Sequence, residues 1–327
     1  MKHVLVTGAN GFVGRALCGR LLKSGYSVTG AFRSEESAAL SAGFHDHPLF
    51  KAEVVGDMSS STDWSKALSG VDAVVHLAAR VHVMKDSISD PLSEYRKVNV
   101  EATTCLASEA AGAGIRRFVF LSTIKVNGEY TTTGPFSEKD RPSPEDPYAV
   151  SKLEAENELA RISKETGMEF VIIRPPLVYG PGVKGNLLRL MKHVHRGLPL
   201  PFGGIRNARS LINLGNLVEA IILSVEKDKA ANQLFLISDG EDVSTPDIIR
   251  LIAHAMSKNP KLVNIPEACF KFTAKVFPFA APALERLTGS LKIDSKKIRN
   301  MLEWRPQKSV AEGIESMVDD YLISGRS

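Results

Sequence analysis

The sequence has few of the features that mark secreted, metal-binding or membrane-spanning proteins. Its 327 residues include three cysteines, Cys18, Cys105 and Cys269, which are far apart and lack the spacing of metal ligands. We interpret them as buried thiols in a reducing compartment. No apolar run is long enough to cross a membrane, and the N-terminus enters a strand pattern directly, which leaves no room for a signal peptide. These absences predict a cytoplasmic protein.

The chain also lacks a concentration of charge of one sign. The formal net charge of +4 is spread along the sequence, and the small basic group near the end, from Lys292 to Arg299, fits a solvated helix face. We therefore predict no nucleic-acid partner and no metal. The apolar segment 269–284 contains two prolines that interrupt a helix, so a lid or core segment is favoured over a membrane-interface helix.

The chain opens with a glycine-rich turn between a strand and a helix. The run Val4-Leu5-Val6 is typical of a buried parallel strand, and helical apolar spacing follows Gly11. Gly8 allows a sharp exit from the strand, Gly11 lets the backbone approach a pyrophosphate, and Gly14 lets the helix pack closely on the sheet. The helix N-terminus would then point free amide donors at phosphates. This context predicts a dinucleotide site.

Strand and helix patterns alternate along the first half of the chain. After the first strand at 4–6, a second predicted strand spans 26–32, a third ends over 54–57, and the fourth, fifth and sixth span 71–77, 117–121 and 170–174. Predicted helices span 92–113 and 148–166. The alternation predicts an α/β fold with a Rossmann-type doubly wound parallel sheet. We assign residues 1–176 to a dinucleotide-binding domain to which 204–235 returns. Residues 177–203 and 236–327, where prolines, glycines and short elements multiply, form a smaller mixed substrate-binding region.

The end of the second strand bears on the choice of cofactor. An acidic residue near this point normally holds the ribose hydroxyls of adenosine, but the sequence reads Ala31-Phe32-Arg33-Ser34. Arg33 could meet a 2′-phosphate, which favours NADP, or could only cover the adenine, which leaves NAD possible. Asp57, after the third strand, could accept from the adenine amino group or be a turn residue.

Three polar side chains at the predicted sheet edge form a candidate catalytic set. Tyr148 and Lys152 are four residues apart at the start of a helix, so they share one face. The pKa of a phenol is about 10, and a lysine ammonium, an oxidised nicotinamide and the helix N-terminus would each lower it. Thr123, at the end of the fifth strand, could hydrogen-bond the same substrate oxygen. The set predicts hydride transfer with Tyr148 as the acid and base.

Together these motifs resemble the extended short-chain dehydrogenase/reductases, the NAD-dependent epimerase/dehydratase family. The resemblance covers nearly the whole chain and rests on residues 7–14, 76–79, 121–123, 148–152 and 174–175. It implies Thr123, Tyr148 and Lys152 as the catalytic residues, a nucleotide sugar bound by the smaller region, and a homodimer formed through the helices over 92–113 and 148–166.

The resemblance and the residue patterns together also assign the binding sites. The predicted cofactor-binding residues are Gly8, Asn10, Gly11, Phe12, Val13, Gly14, Arg33, Asp57, Met58, Leu77, Ala78, Ala79, Asn99, Ser122, Tyr148, Lys152 and Pro175. The predicted substrate-binding residues are His82, Thr123, Lys125, Asn186, Leu187, Pro201 and Arg209. A guanidinium at Arg209 could fork onto a diphosphate or lie in a basic surface turn.

Departures from the family pattern bear on the reaction. Asn127 replaces the tyrosine of a Val-Tyr-Gly motif, Asn216 replaces an aspartate, and Ile124-Lys125 replace the Asp-Glu pair that dehydratases use. With Arg33, they point away from a standard UDP-galactose epimerase, and His82 resembles the branch that reduces UDP-4-keto-6-deoxy-N-acetylhexosamines in surface-polysaccharide synthesis. We predict such a reductase acting at C4 of a UDP-hexose, with a UDP-glucose or UDP-N-acetylglucosamine 4-epimerase as the alternative. A dehydratase and a cofactor-sensing regulator are less favoured.

Overall fold

The computed structural model describes residues 2–39, 43–44, 46–81, 90–266 and 287–325, and these contain ten strands. The strands are β1 (His3–Thr7), β2 (Ser27–Phe32), β3 (Phe50–Val54), β4 (Ala73–His76), β5 (Arg117–Leu121), β6 (Glu169–Arg174), β7 (Leu177–Tyr179), β8 (Arg209–Asn213), β9 (Gln233–Leu236) and β10 (Asp242–Val243). Seven of them form a parallel sheet in the order β3-β2-β1-β4-β5-β6-β9. The other three form a small mixed sheet in the order β10-β8-β7.

Helices connect most of the parallel strands. They are α1 (Phe12–Lys23), α2 (Glu35–Ala39), α3 (Pro91–Arg96), α4 (Ala102–Gly112), α5 (Pro147–Thr166), α6 (Gly185–His195), α7 (Leu214–Glu226), α8 (Thr245–Ala255), α9 (Lys296–Leu302) and α10 (Val310–Ile323). A π-helical turn, Lys97–Glu101, joins α3 to α4, so the single helix predicted over 92–113 is interrupted. Ile124–Val126 and Asp228–Ala230 are 3₁₀ turns.

The predicted doubly wound Rossmann-type sheet is confirmed. The first six strands follow the order of dinucleotide-binding sheets, which reverses between β1 and β4. A crevice forms beyond the carboxyl ends of strands at such a reversal, and ligands bind there. The glycine turn after β1 and the residues after β4 therefore lie at the natural ligand site of the sheet.

Apolar layers cover both faces of the large sheet. One contains buried residues of α1 and α7, including Leu17, Leu21 and Ile221, and the other contains Leu106 of α4 and Leu159 of α5. Burial of each such side chain stabilises the fold by about 1.5–3 kcal/mol, whereas an exposed ion pair contributes about 0–1 kcal/mol. The layers, rather than the surface ion pairs, therefore hold the helices on the sheet. A third apolar cluster joins α6, α8 and α10 to the small sheet.

Strand pairing crosses the predicted domain boundary. β8 belongs to the segment 204–235, yet it pairs with β7 and β10 in the small sheet. α7, from the same segment, packs in the core against the large sheet. β9, at the end of the segment, is the edge strand of that sheet. The division into two domains stays a prediction, and the structure shows that 204–235 contributes to both sheets.

Two predictions about other segments have different outcomes. No helix in the described part of the chain is long and apolar enough to span a membrane. The segment 269–284, predicted as a lid or core segment, lies outside the described residues.

The close approach of α1 to the glycine turn gives a test of the fold. A Cβ atom on Gly14 would lie 2.1 Å from the carbonyl oxygen of Gly8, whereas one on Gly19 would lie 3.7 Å from a ring carbon of Phe44. We expect Gly14→Ala to lower the free energy of unfolding by about 1–3 kcal/mol, because backbone atoms must move apart. Gly19→Ala, the control in the same helix, should leave it unchanged or raise it by less than about 1 kcal/mol, because alanine favours a helix.

Urea denaturation of the two variants and the wild type measures both changes. Equal effects of Gly14→Ala and Gly19→Ala would contradict the close packing of α1 on the turn.

Candidate active site

The turn after β1 forms a cradle of main-chain groups. Gly8 has φ of +66°, in the left-handed region, and a Cβ there would lie 3.0 Å from the main-chain nitrogen of Ala78. The Gly11 N–H donates to the Gly8 carbonyl at 2.8 Å, and α1 then begins at Phe12 without a side-chain cap. The first amides of α1 are therefore open to an anionic ligand. These residues fit the pyrophosphate of a dinucleotide.

A buried chain of hydrogen bonds runs from this turn through His76. The Thr7 hydroxyl oxygen accepts from the main-chain N–H groups of the two residues after His76, at 3.1 and 3.2 Å. Its own hydrogen is thus free to be donated to His76 Nδ1, 2.7 Å away. His76 Nε2 lies 2.9 Å from the Thr103 hydroxyl, which donates to the Asn99 carbonyl at 2.8 Å. We assign the neutral tautomer with its proton on Nε2, because it satisfies every bond.

Asn99 connects this chain to the helix that carries Tyr148. Its side chain accepts from the main-chain nitrogen of Arg80 at 2.8 Å and donates to the Arg80 carbonyl at 3.0 Å. It also donates to the Ser151 hydroxyl at 2.9 Å, and Ser151 donates to the Tyr148 carbonyl at 2.8 Å. The π-helical turn contains Asn99, in keeping with the frequency of such turns at functional sites.

Thr123, Tyr148 and Lys152 lie on elements that end or begin at the same edge of the sheet. Thr123 follows β5 in an extended conformation and caps the 3₁₀ turn after it. Asp146 caps α5 by accepting from the main-chain nitrogen of Ala149 at 2.7 Å. Tyr148 therefore lies in the first turn of α5, and Lys152 lies one turn later. The strand-end hydroxyl and the helical Tyr–Lys pair are thus presented at one edge.

Burial sets the protonation of the Tyr–Lys pair in the protein alone. Lys152 is 2 % exposed, and its ammonium lies 3.7 Å from the centre of the Phe120 ring. Burial lowers the pKa of Lys152 to about 7, while the Glu156 carboxylate acts in the opposite direction. Burial raises the pKa of Tyr148 above its ordinary value, and Asp146 and Tyr95 add to that rise. The phenol is therefore protonated until a positive charge is brought beside it.

A buried ion pair joins the elements that carry the candidate catalytic residues. Glu156 and Arg174 are 3 % and 4 % exposed, and their side chains make two hydrogen bonds, of 3.0 and 2.5 Å. The Ser122 hydroxyl also donates to Glu156, and Arg174 donates to the Asn127 amide oxygen at 2.8 Å. Asn127, which replaces the tyrosine of the family motif, thus accepts a third hydrogen bond from the guanidinium. The network joins the ends of β5 and β6 to α5.

Lys125 forms a second ion cluster, between the turn after Thr123 and the start of α5. Its ammonium donates to Glu129 at 2.5 Å and to Asp146 at 2.6 Å. The three side chains are each about one-fifth exposed, so they are screened less than a surface pair. The cluster links the 3₁₀ turn after Thr123 to Asp146, the N-cap residue of α5. The predicted contact of Lys125 with substrate stays a prediction.

Arg33 and Asp57 face each other where β2 and β3 end. The guanidinium lies 3.4 Å from the Asp57 carboxylate, and the side chains are 75 % and 85 % exposed. A pair this exposed adds little to stability. It does place a cation and an acceptor together at the position predicted for the adenosine.

The other predicted cofactor residues follow the ends of the parallel strands. Met58 comes after β3, Leu77, Ala78 and Ala79 come after β4, Ser122 comes after β5, and Pro175 comes after β6, while Asn10, Phe12 and Val13 belong to the turn and the start of α1. The fold thus brings these residues to one edge of the sheet. Their contacts with a cofactor stay predictions.

Three of the predicted substrate residues, Asn186, Leu187 and Pro201, belong to the segment 177–203 of the smaller region. Asn186 and Leu187 lie in the first turn of α6, and Pro201 follows Leu200, which bridges to Leu262. Arg209 begins β8 and donates to the Gly289 carbonyl at 3.0 Å, so part of its guanidinium is used within the fold. His82 lies outside the described residues, in 82–89.

Comparison with known proteins identifies the family. The family model described as NAD dependent epimerase/dehydratase family matches residues 4–238. The chain belongs to this family. A UDP-glucose 4-epimerase of Vibrio cholerae is 44 % identical over 324 residues, which cover 98 % of this chain and 96 % of that protein. A UDP-glucuronic acid 4-epimerase from Bacillus cereus, solved in complex with NAD, is 25 % identical with a TM-score of 0.80, over 98 % of this chain and 99 % of that one.

A more distant relative has a lipid-linked substrate in its name. The N-acetyl-alpha-D-glucosaminyl-diphospho-ditrans,octacis-undecaprenol 4-epimerase of Escherichia coli O157:H7 is 26 % identical over 91 % of this chain and 89 % of that protein. The family membership and these relatives show that the chain is an NAD-dependent enzyme of the short-chain dehydrogenase/reductase kind.

Reasoning from the sequence missed three polar networks of this family member. The His76 chain, the Glu156–Arg174 pair and the Lys125 cluster each join residues that are distant in sequence. One signal was available: Glu156 lies four residues after Lys152, on the same side of a helix. Among the described residues, no group of His, Cys, Asp and Glu side chains could hold a metal ion.

The neutral state of His76 predicts a pH dependence of stability. Burial, aided by the charge of Lys152, lowers the pKa of His76 from 6.5 to about 3. Between pH 6.5 and about 3, His76 therefore binds a proton in the unfolded chain but not in the folded chain, so stability falls as the pH decreases. Below pH 6.5, protonation of His76 in the unfolded chain lowers the free energy of unfolding by about 1.4 kcal/mol per pH unit. This amounts to about 2 kcal/mol between pH 7.5 and 5.

Chemical denaturation at both pH values tests this. His76→Gln keeps a donor and an acceptor but does not titrate, so its loss of stability between pH 7.5 and 5 should be smaller than that of the wild type by about 2 kcal/mol. His254→Gln, at an exposed position on α8, is the control and should lose as much as the wild type. A His76→Gln variant with the wild-type pH dependence would contradict the buried neutral imidazole.

Proposed function

We propose that the protein is an NAD-dependent UDP-hexose 4-epimerase, which inverts the configuration at C4 of the sugar. The proposal is carried by Thr123, Tyr148 and Lys152 at one sheet edge, in a chain 44 % identical along its length to a UDP-glucose 4-epimerase. Solved relatives were captured with UDP-glucuronic acid and NAD, or with UDP-glucose and NAD. Reduction of a UDP-4-keto-6-deoxy-N-acetylhexosamine is the second candidate, and Arg33 is the described residue that favours it.

The cofactor would be held by groups of this chain at the reversal of the sheet. The glycine turn and the first amides of α1 would bind its pyrophosphate, and residues after β4 would line its other side. Bound NAD would supply a hydride acceptor, a hydride donor in its reduced form, and a positive charge. That charge and the Lys152 ammonium lower the pKa of the phenol, which burial and Asp146 raise in the protein alone.

Tyr148 acts as the general acid and base. Its phenolate oxygen accepts the proton of the C4 hydroxyl when the sugar is oxidised, and its hydroxyl returns that proton when the sugar is reduced on the other face. Thr123 donates a hydrogen bond to the same oxygen and holds it in place. Lys152 keeps the phenolate form accessible. An epimerase and a reductase share this machinery, and they differ in whether the reaction leaves a net redox change.

The Arg33–Asp57 pair supports NAD rather than NADP. Asp57 lies 3.4 Å from Arg33, so the carboxylate that β2 lacks at its tip is supplied from the next strand. A carboxylate here can accept from ribose hydroxyls and would repel a 2′-phosphate. It also offsets the charge of Arg33, on which the expectation of NADP depended.

An assay of C4 inversion tests the proposed function. The purified protein, given UDP-glucose or UDP-N-acetylglucosamine without a reductant, should produce the C4 epimer, observed by proton NMR. Tyr148→Phe should reduce turnover by about 10²–10⁴-fold, because it removes the acid and base. Tyr321→Phe is the matched control, since the Tyr321 hydroxyl is buried and has no hydrogen-bond partner among the described residues.

Two results would contradict the proposal. One is consumption of NADPH with a UDP-4-keto-6-deoxy-N-acetylhexosamine and no inversion of either UDP-hexose, which would establish the reductase. The other is a Tyr148→Phe variant that retains most of the wild-type turnover.

Calorimetric titration with NAD and NADP tests the cofactor. The wild type should bind NAD more tightly than NADP. Asp57→Asn should weaken NAD by about 10–100-fold, the value of a hydrogen bond to a charged group, and should strengthen NADP. Arg33→Ala, which removes the other member of the pair, should weaken NADP more than NAD. Tighter binding of NADP by the wild type would reverse the assignment.

We also propose that the enzyme is a cytoplasmic homodimer. α4 and α5 pack beside each other on one face of the large sheet, through residues such as Leu106 and Ala155. Two such helices from each subunit can pair across a two-fold axis.

A further inference from the structure

We propose that Lys125 is a positioning residue, which fixes the separation of the two catalytic hydroxyls by joining their elements through its ion pair with Asp146. The inference rests on the proposed acid–base role of Tyr148 and extends it to a residue outside the catalytic set. It assigns Lys125 a function within the protein, whether or not its ammonium also meets the substrate.

The two hydroxyls are anchored at different points of the fold. Thr123 follows a strand of the sheet, whereas Tyr148 lies at the start of a helix, so they belong to separate elements. Lys125 comes two residues after Thr123, and Asp146 comes two residues before Tyr148. A contact of 2.6 Å between the Lys125 ammonium and the Asp146 carboxylate therefore spans the gap between the elements beside both hydroxyls.

Asp146 makes this contact with one oxygen and caps α5 with the other. Its Oδ2 accepts from Lys125, and its Oδ1 accepts from the Ala149 main-chain nitrogen at 2.7 Å. The Asp146 carbonyl also accepts from Val150 at 3.0 Å. The ion pair is thus continuous with the hydrogen bonds that define the first turn of α5, and Tyr148 lies inside that turn.

The hydrogen bond between the end of β5 and the body of α5 lies too far along the helix to replace this contact. Ser122 donates to Glu156, which is eight residues after Tyr148. At 1.5 Å per residue, that point is about 12 Å from Tyr148 along the helix axis. The Glu156 network fixes the body of α5, and the Lys125 pair fixes its N-terminal turn.

Charge gives Lys125 a second effect on the site. Glu129 lies 2.5 Å from the same ammonium, so the cluster has two carboxylates and one cation. Among the described residues, the charged or titratable groups that act on Tyr148 are Asp146, the N-cap of α5, and Tyr95 of α3, whose ring lies 6.1 Å from the Tyr148 ring and under Arg80. Lys152 lies one turn further along α5. Removing Lys125 takes away a cation that offsets Asp146, the carboxylate that raises the pKa of the nearby phenol.

A positioning role for Lys125 and a contact with substrate predict different effects on KM, kcat and the pH dependence. A lost contact with substrate raises KM and leaves the pH dependence of kcat unchanged. A lost positioning residue lowers kcat at nearly constant KM, since a displacement of about 1 Å costs about 10²-fold. It also moves the acid limb of kcat to higher pH, because an Asp146 carboxylate that has lost the Lys125 cation disfavours the phenolate more strongly.

The kinetic experiment compares Lys125→Met, Lys125→Arg, Asp146→Asn and the double variant Lys125→Met/Asp146→Asn, each assayed for C4 inversion between pH 5 and 9. Lys125→Met should lower kcat by about 10–100-fold, change KM by less than about threefold, and move the acid limb up by about half a pH unit or more. Lys125→Arg keeps the ion pair and should restore most of kcat. The double variant should return the limb to the wild-type pH or below while kcat stays low, because asparagine still caps the helix but has no charge.

Amide hydrogen exchange tests the same inference without any turnover. Lys125→Met should speed exchange at Ala149 and Val150 by about tenfold and leave residues 156–160 of α5 unchanged. Lys164→Met, which removes an exposed cation from the other end of α5, is the control and should change neither group.

The outcomes distinguish this inference from the proposed function. Unchanged exchange at Ala149 and Val150 in Lys125→Met, or a raised KM with kcat and the acid limb unaltered, would overturn the role of Lys125. An inactive wild type, or an active Tyr148→Phe variant, would refute the proposed function instead, and the exchange measurement would still decide whether Lys125 holds the helix.

Discussion

The buried ion pair between Glu156 and Arg174 is the interaction on which the candidate catalytic edge depends. It joins the ends of two neighbouring strands to α5, and Ser122 and Asn127 each add a hydrogen bond to one of its members. Loss of either partner would leave an unpaired charge in the core, at a cost of about 3–5 kcal/mol. With the pair intact, α5 has one position relative to the sheet, so the Tyr–Lys face is presented at the strand ends.

Two other polar networks determine where each end of the site lies. The chain through His76 connects the glycine turn to Asn99 and then to Ser151, so the dinucleotide cradle and α5 share a continuous set of hydrogen bonds. The ion pair of Lys125 and Asp146 holds the first turn of α5 against the residues after Thr123. The cofactor cradle, the strand-end hydroxyl and the phenol are thus positioned by separate contacts that converge on one helix.

Local patterns in the sequence were sufficient for the parts of the fold that local physics controls. Period and turn chemistry placed β2, β5, β6 and α5 nearly at their observed bounds and predicted the doubly wound sheet. The glycine spacing likewise indicated the cradle, because each glycine has a steric reason at its own position. The interruption of the helix over 92–113 by a π-helical turn has no such local signal, since the turn contains ordinary helix-forming and β-branched residues.

Contacts between distant residues explain what the sequence could not supply. Arg33 read alone favoured NADP, but the parallel pairing of β2 with β3 brings Asp57 within 3.4 Å of it and changes the electrostatics of the adenosine position. No local pattern indicated the ion cluster of Lys125, because its two described carboxylate partners are four and 21 residues away. The returning segment 204–235 contributes β8 to the small sheet because strand pairing, not sequence order, decides membership of a sheet.

The central claim, that this edge inverts C4 of a UDP-hexose without net oxidation, is tested most directly by the fate of the hydrogen on C4. The purified enzyme is given UDP-glucose that carries deuterium at C4, in ordinary water, and the product is analysed by mass spectrometry and NMR. The account predicts UDP-galactose that retains the deuterium at C4. Product with hydrogen from water at C4, or no inversion while NADPH reduces a 4-keto sugar, would contradict it.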